Sequence, residues 1–196
     1  MRILDAQLVL SPSDLANFLT CRHRAGLDLA AARKVLDKPR YEDPYAAMLR
    51  QHGDEHEQAY VESLRANGKQ IVDLKDDKDA AAKTVAAMKA GVDVIVQARL
   101  EGNALAGYAD ILLRVEQPSD LGDWSYEVQD TKLAKETKGG TILQLSAYSQ
   151  MVGRIQGKTP EYFHVVTPVA TERHRVEDYA AYYRMVLATL RSNVEK

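Results

Sequence analysis

Three residues near the middle of the sequence have the types and spacing needed for metal-dependent phosphodiester chemistry. Asp110 and Asp130 interrupt two successive apolar runs, and Lys132 follows Asp130 by two residues. Alternate residues of a β-strand share a face, so Asp130 and Lys132 would point the same way. Two carboxylates can hold a hard divalent cation that activates a water, and an ammonium group can stabilise charge on a phosphate. The same spacing also occurs in ordinary exposed ion pairs, which is the competing interpretation.

Hydrophobic periodicity predicts the elements that must position these residues. The predicted helices cover residues 11 to about 24, 27–35, 44–67, 79–90, 141–156 and 176–194, with Gly26 separating the first two. The predicted strands cover residues 8–10, 70–74, 92–100, 104–115, 125–133 and 161–167. This order predicts an α/β fold with a mixed central β-sheet flanked by helices and an N-terminal helical part.

Composition narrows the class of protein without naming a function. The chain has 196 residues, of which 45% are hydrophobic and 28% are charged, as in one globular domain. It lacks a signal-like N-terminus and an apolar run of the ~20 residues that a membrane helix needs. The single cysteine excludes an internal disulfide, so we expect a cytoplasmic protein without membrane partners. The net charge of −2 means that nucleic-acid binding would need a local basic rim.

Five short motifs, in this order along the chain, carry a resemblance to a known family. They are SPSDLANFLTCRHR at 11–24, GDEHEQAY at 53–60, GYAD at 107–110, EVQDTK at 127–132 and QLSAY at 144–148. The chain resembles the PD-(D/E)xK nuclease superfamily, specifically its RecB-like branch. This branch includes CRISPR-associated RecB-like exonucleases and RecB-type nuclease domains fused to helicases. The resemblance implies a single nuclease domain over residues 1–196, with a helical part at about 1–91, a restriction-endonuclease-like catalytic core at about 92–168 and a terminal helix at 176–196.

The resemblance also implies roles for individual residues in DNA cleavage with Mg²⁺ or Mn²⁺, by an exonuclease acting in repair, recombination or defence. The implied metal ligands and catalytic or substrate-binding side chains are His56, Asp110, Asp130, the main chain of Thr131, Lys132, Gln144 and Tyr148. In this assignment Lys132 assists the attacking water. Gln144 and Tyr148 address the substrate, although Tyr148 could equally be a packing residue. A zinc site formed by His52 and His56 is the alternative for the histidines, but the residue after His52 is glycine rather than the glutamate of the zinc hydrolase motif.

Basic residues and the lone cysteine complete the set of candidates. A phosphate-contacting rim is predicted at Arg22, Arg24, Lys135 and Lys138, with ordinary solvated charges as the alternative. Cys21 stands where related nucleases have the first of four iron–sulfur ligands, but the other three cysteines are absent. We therefore expect the chain to be an N-terminal fragment of a longer protein, which would supply those cysteines and a helicase domain. Without them, Cys21 would be a buried hydrophobe.

Three functions remain open at this point. The leading hypothesis is a divalent-metal-dependent DNA nuclease, because every motif position holds a competent residue. The second is a catalytically silent nuclease-like module that binds DNA or docks a partner, which the near-neutral charge and the missing cysteines favour. The third is a hydrolase that acts on other phosphoesters.

Overall fold

The computed structural model describes residues 1–39, 41 and 43–195; Arg40, Glu42 and Lys196, which fall within the expected helical part and terminal helix, lie outside the described residues. The strands are β1 (Arg2–Leu4), β2 (Gln7–Val9), β3 (Ile71–Asp73), β4 (Val94–Gly102), β5 (Leu105–Val115), β6 (Ser125–Thr131), β7 (Tyr162–Val166) and β8 (Thr171–Arg175). The helices are α1 (Pro12–Thr20), α2 (Arg22–Ala32), α3 (Pro44–Ala66), α4 (Ala80–Ala90), α5 (Gly139–Gln156) and α6 (Val176–Val194).

The central sheet has six strands in the order β3-β4-β5-β6-β7-β8, and β1 and β2 form a separate hairpin. The pairs β3–β4 and β6–β7 are parallel, and the other neighbours are antiparallel. A parallel pair needs a crossover, and α4 and α5 supply the two crossovers. The predicted α/β fold with a mixed central sheet flanked by helices is confirmed.

Two hydrophobic cores cover the two faces of this sheet. The larger core combines residues of α1, α2, α4, α5 and α6 with sheet residues that include Ile95, Leu112 and Val128. The smaller core places Val61 of α3 against Val96 and other residues of β4 and β5. Burying both faces explains why β4 and β5 carry apolar residues on both sides. A buried carboxylate in this sheet, such as that of Asp130, is therefore conspicuous.

Local chemistry sets the ends of the elements nearest the site. The carboxylate of Asp14 accepts hydrogen bonds from the main-chain nitrogen and the hydroxyl of Ser11, at 2.8 and 2.9 Å, and so fixes the start of α1. Helix α5 ends at Gly157, whose φ of +69° is readily adopted by glycine. The side chain of Gln156 joins that helix end to β6, because it accepts from the main-chain nitrogen of Tyr126 at 2.8 Å and donates back to its carbonyl at 3.3 Å.

One predicted helix boundary is wrong, and strands β1 and β8 were not predicted. The first helix ends at Thr20, because Cys21 adopts an extended conformation, and α2 then runs through Gly26. A glycine inside a helix costs only about 1 kcal/mol relative to alanine, and the burial of Ala25 and Leu29 offsets that cost. Strand β8 was not predicted, because its sequence TERHR is polar. It pairs with β7 at the edge of the sheet, where one side of a strand faces solvent.

The helices of the structure can be compared with the length and apolar character that a membrane span needs. Within residues 1–39, 41 and 43–195, none of the helices combines the length and the apolar character of a membrane span.

Candidate active site

One small cavity brings together most of the residues that the sequence singles out. Its volume is about 140 Å³, and it lies where the middle of β5 and the end of β6 meet α1 and α5. The residues that line it are Ser13, Tyr108, Asp110, Asp130, Lys132, Gln144, Leu145 and Tyr148. The five side chains predicted to be catalytic therefore converge, although they come from three different elements and their connections.

The aspartate–lysine pair at the end of β6 has the predicted geometry. The Nζ atom of Lys132 donates to Oδ1 of Asp130 over 2.6 Å, so both side chains are on the same face. The Asp130 side chain is only 8% exposed, whereas that of Lys132 is 37% exposed. The main chain of Lys132 is held by a hydrogen bond of 2.9 Å to the carbonyl of Val166. Asp130 is thus fixed in the wall of the cavity, and the ammonium group stands at its mouth.

Asp110 lies beside Asp130, and this arrangement of two carboxyl groups favours a bound cation. Burial, the hydrogen bond to Asp130 and the negative charge of Asp130 raise the pKa of the Asp110 carboxyl well above its ordinary value. The charge of Lys132 acts in the opposite direction, and that of Glu57 adds to the rise in this pKa. Without a cation, the neutral form of the Asp110 carboxyl is therefore favoured. Two adjacent carboxylates with room for water and phosphate oxygens fit Mg²⁺ or Mn²⁺.

Gln144 and Tyr148 lie one turn apart on α5 and face the cavity. The Gln144 amide donates to the hydroxyl of Ser13 over 3.0 Å, which links α5 to α1. Burial and the nearby charges of Asp110 and Asp130 raise the pKa of the Tyr148 phenol above its usual range. Gly107 makes room for this ring, since a Cβ atom there would lie 2.7 Å from the Tyr148 hydroxyl. Tyr148 is therefore a neutral hydrogen-bonding group in the wall of the cavity.

The remaining predicted metal ligands lie near the cavity but do not line it. Nε2 of His56 on α3 lies 3.5 Å from the carbonyl oxygen of Val166, the same oxygen that holds the main chain of Lys132. Thr131 is buried at the end of β6. Among the described residues, no three histidine, cysteine, aspartate or glutamate side chains are grouped as a metal site. Asp110 and Asp130 are thus the two predicted ligands that the structure brings together, and the metal-binding role of all four residues stays a prediction.

The predicted basic rim is exposed but separate from the cavity lining. Arg22 stacks over Phe18 at 5.6 Å, and Nε of Arg24 lies 3.8 Å from a carboxylate oxygen of Asp28. Lys135 and Lys138 are exposed between β6 and α5, in the connection that leads from Lys132 to Gln144. Their role as phosphate contacts stays a prediction.

Cys21 is exposed at the junction of α1 and α2, and it has no disulfide partner. It is therefore not the buried hydrophobe expected in the absence of a cluster.

Sequence reasoning missed three residues around the acidic pair. Tyr108 and Ser13 line the cavity, and both stand inside the motifs given above. Tyr108 lies close to Asp110 in the sequence, and Ser13 lies at the start of α1, so both could have been predicted as site residues. Gln97 of β4 has a φ of +52°, and the register of β4 with β5 places it opposite Asp110. Its amide donates to Glu57 over 2.7 Å. No sequence pattern indicates a left-handed residue inside a strand.

Comparisons with known proteins give little help. The sequence matches no protein-family model and no curated protein. The crystal structure of SSO0001 aligns over 95% of this chain and 78% of its own, with 10% sequence identity and a TM-score of 0.39. At that level of similarity it assigns neither a family nor a function.

Proposed function

We propose that this protein is a divalent-metal-dependent DNA nuclease of the RecB-like type, an exonuclease by resemblance. The observation that carries the proposal is the convergence of Asp110, Asp130 and Lys132 in one cavity with Gln144 and Tyr148. A buried carboxyl group such as Asp110, whose pKa is raised by burial and by a neighbouring carboxylate, is an unfavourable arrangement for a merely structural site. Placed beside a partly exposed ammonium group, they have the composition of a site for phosphodiester hydrolysis.

The acidic pair would hold the Mg²⁺ or Mn²⁺ ion. In this proposal the carbonyl of Thr131 and the imidazole of His56 are the further ligands that the resemblance implies. A bound cation of this kind supplies charge neutralisation at the phosphate and lowers the pKa of a bound water. The structure supports the acidic pair directly, because their side chains are adjacent and the cavity admits small molecules.

The other side chains would orient the water and the substrate. The Lys132 ammonium, fixed by its 2.6 Å hydrogen bond to Asp130, can hold the attacking water and offset the negative charge that develops on the phosphate. The Gln144 amide and the neutral Tyr148 hydroxyl can each donate to a phosphate oxygen. Gln144 is already held by its hydrogen bond to Ser13, and Tyr148 lies close against Gly107, so neither donor needs to move far.

A catalytically silent DNA-binding or docking module is the second candidate. One observation favours it: within the part of the chain that the structure describes, no group of three ligating side chains surrounds the cavity. In either case we place the protein in the cytoplasm and expect DNA as its partner. By resemblance, the same proposal includes a helicase domain in a longer chain, an iron–sulfur cluster that contains Cys21, and a role in repair, recombination or defence.

The experiment that tests the nuclease is cleavage of end-labelled single- and double-stranded DNA with Mn²⁺ and with Mg²⁺, beside an EDTA control. We expect metal-dependent cutting that Lys132→Ala abolishes. Lys158→Ala is the matched control, because Lys158 is exposed and its ammonium group makes long contacts of 3.5 Å to Gln117 and Pro118. Circular dichroism of both variants separates lost chemistry from lost folding.

The other outcomes would either remove the proposed role of this site or indicate a different function. Cutting that persists in Lys132→Ala would remove the proposed role of this site. Absence of cutting by the folded wild-type protein, with DNA still bound, would favour the silent module. Turnover of small phosphoesters but not of DNA would indicate a different substrate class.

A further inference from the structure

The connection between β6 and α5 joins two residues that line the cavity. It covers residues 132–138, and we call it the lysine loop. Lys132 begins this loop, and Gln144 lies in the second turn of the helix that follows it. The loop thus links two hydrogen-bond donors that the proposed reaction needs in fixed positions.

The helix start that follows the loop has little stability of its own. Lys138 occupies the N-cap position of α5 without a side-chain cap hydrogen bond, and the helix begins with Gly139 and Gly140. Glycine is a weak helix former, and a missing cap leaves main-chain nitrogens of the first turn without a side-chain acceptor. Helix α1 supplies one holding contact, because a Cβ atom on Gly140 would lie 3.1 Å from Cβ of Ala16. The loop itself must be held from another part of the chain.

The hairpin formed by β7 and β8 holds the lysine loop at two points. At the start of the loop, the main-chain nitrogen of Lys132 donates to the carbonyl of Val166 over 2.9 Å. Near its end, the hydroxyl of Thr137 donates to Oε2 of Glu172 on β8 over 2.6 Å, a length typical of a charge-assisted hydrogen bond. Within the part of the chain that the structure describes, this is the one hydrogen bond that ties residues 133–137 to another element.

The hairpin is a firm base for this hydrogen bond. Its turn is closed by Thr167, whose hydroxyl donates to the carbonyl of Ala170 at 2.9 Å and accepts from the main-chain nitrogens of Val169 and Ala170. Nε2 of His174, two residues beyond Glu172, lies 3.3 Å from the same carboxylate oxygen but makes no hydrogen bond. The Glu172 carboxylate is therefore directed at the loop, although a second polar group lies within reach.

We propose that Glu172 and Thr137 are positioning residues, whose hydrogen bond holds the lysine loop on the hairpin so that Lys132 and Gln144 keep their places in the cavity. The proposal rests on the nuclease function proposed above and specifies how its site is kept in order. Neither Glu172 nor Thr137 lines the cavity, so each acts through the loop and not through the substrate. The proposal also gives a role to β8, an edge strand whose five residues are all at least partly exposed.

The first test needs no DNA. Limited trypsin digestion with mass spectrometry measures how fast the chain is cut after Lys135 and Lys138 in the lysine loop. We expect Thr137→Val, which keeps the shape of threonine without its hydroxyl, to raise this rate about 10-fold, the effect of losing a hydrogen bond to a charged group. Thr137→Ser keeps the hydroxyl and should be cut like the wild type. Thr189→Val is the matched control, because the Thr189 hydroxyl donates within its own helix, to the carbonyl of Met185 at 2.8 Å.

The second test is the rate of Mn²⁺-dependent DNA cleavage at saturating DNA. We expect Thr137→Val and Glu172→Ala each to lower this rate about 10- to 100-fold, the effect of misplacing catalytic groups. Glu172→Gln should retain most of the rate, because its amide oxygen can still accept from Thr137. Two residues that act through one hydrogen bond are not additive, so the double variant should lose no more than the more severe single variant. Mn²⁺ binding should not change in any of these variants, since Asp110 and Asp130 are intact.

The two tests separate failure of this proposal from failure of the nuclease. Loop lysines that are cut no faster in Thr137→Val than in the wild type, or losses of activity that add in the double variant, would overturn the pairing of Thr137 with Glu172. Full DNA cleavage by a Thr137→Val protein whose loop is cut faster would overturn its positioning role. A wild-type protein that cuts no DNA, with a loop that Thr137→Val alone opens to trypsin, would overturn the nuclease and leave the hydrogen bond as the loop's anchor.

Discussion

Replacing Asp110 by asparagine should stabilise the metal-free protein while it removes cation binding. In the folded state, Asp110 lies in a buried environment beside a second carboxylate, and its pKa is raised well above the ordinary value. The amide is neutral at every pH and has nearly the same shape. It can donate to Asp130 as the protonated carboxyl does. The substitution thus removes an unfavourable charge and keeps the contact.

The magnitude of this gain has an upper bound. Keeping a carboxyl group of ordinary pKa, about 3.9, protonated at pH 7 costs about 4 kcal/mol, and the pair cannot cost the folded protein more than that. The ammonium of Lys132, which lies 2.6 Å from Asp130, offsets part of the cost. We therefore expect a gain of about 1–3 kcal/mol in the free energy of unfolding. For a domain of this size, each kcal/mol raises the melting temperature by about 2–4 °C.

The gain should also depend on pH with a definite sign. Above the unfolded-state pKa of about 4, the unfolded chain releases a proton that the folded protein keeps at Asp110. The stability of the wild type therefore falls as the pH rises through this window, and Asp110→Asn lacks that contribution. The difference between the two proteins should be small near pH 4 and should grow as the pH rises above it.

Urea denaturation in EDTA at several pH values measures the effect. Asp14→Asn is the matched control, because Asp14 is a buried carboxylate whose two hydrogen bonds with Ser11 fix the start of α1. Weakening these hydrogen bonds and removing the charge that pairs with the N-terminal ammonium at 2.7 Å should destabilise the protein by about 0.5–2 kcal/mol. If Asp110→Asn destabilises the protein as Asp14→Asn does, Asp110 is a structural residue and the functional interpretation of the pair is wrong.

Substitutions at three further positions test the frame that holds the site. Gly107→Ala should cost about 1–3 kcal/mol in urea denaturation, since its Cβ atom would lie 2.7 Å from the Tyr148 hydroxyl; an unchanged midpoint would contradict this close approach. At position 97, where φ is +52°, we expect Gln97→Gly to be more stable than Gln97→Ala by about 1 kcal/mol, the reverse of the usual order in strands. Gln156→Leu should cost about 2–4 kcal/mol, because the buried main chain of Tyr126 loses both its donor and its acceptor; a smaller loss would mean that other groups satisfy that main chain.

The sequence predicted the central elements well, because their patterns are strong. Strands β4 and β5 carry apolar residues on both faces, and helix α5 has regular periodicity and a glycine at its end. The bounds of β4 to β7 and of α5 fall within two residues of the prediction. The acidic interruptions at Asp110 and Asp130 stood out against this background. Gln144 and Tyr148 lie beside them in the cavity, as the family resemblance predicted. That prediction came from the resemblance and not from physical reasoning about the residues.

The features that were missed depend on tertiary packing. Tyr108 lies two residues before Asp110 and Tyr148 lies on α5, and nothing in the sequence shows that one is exposed and the other partly buried. Their difference arises from Gly107, which admits the Tyr148 ring beneath the strand. The left-handed Gln97 is stabilised by its contact with Glu57 on a distant helix. Edge strand β8 is polar because it faces solvent, so it has no apolar pattern to detect.

Calorimetric titration of the purified protein with Mn²⁺, without DNA, tests the central claim most directly. The account predicts that the wild type binds Mn²⁺ at the acidic pair and that Asp130→Asn, although folded, does not. The Lys158→Ala control should titrate like the wild type. A folded wild-type protein that binds no Mn²⁺, or an Asp130→Asn variant that binds it with unchanged affinity, would contradict a cation site at Asp110 and Asp130.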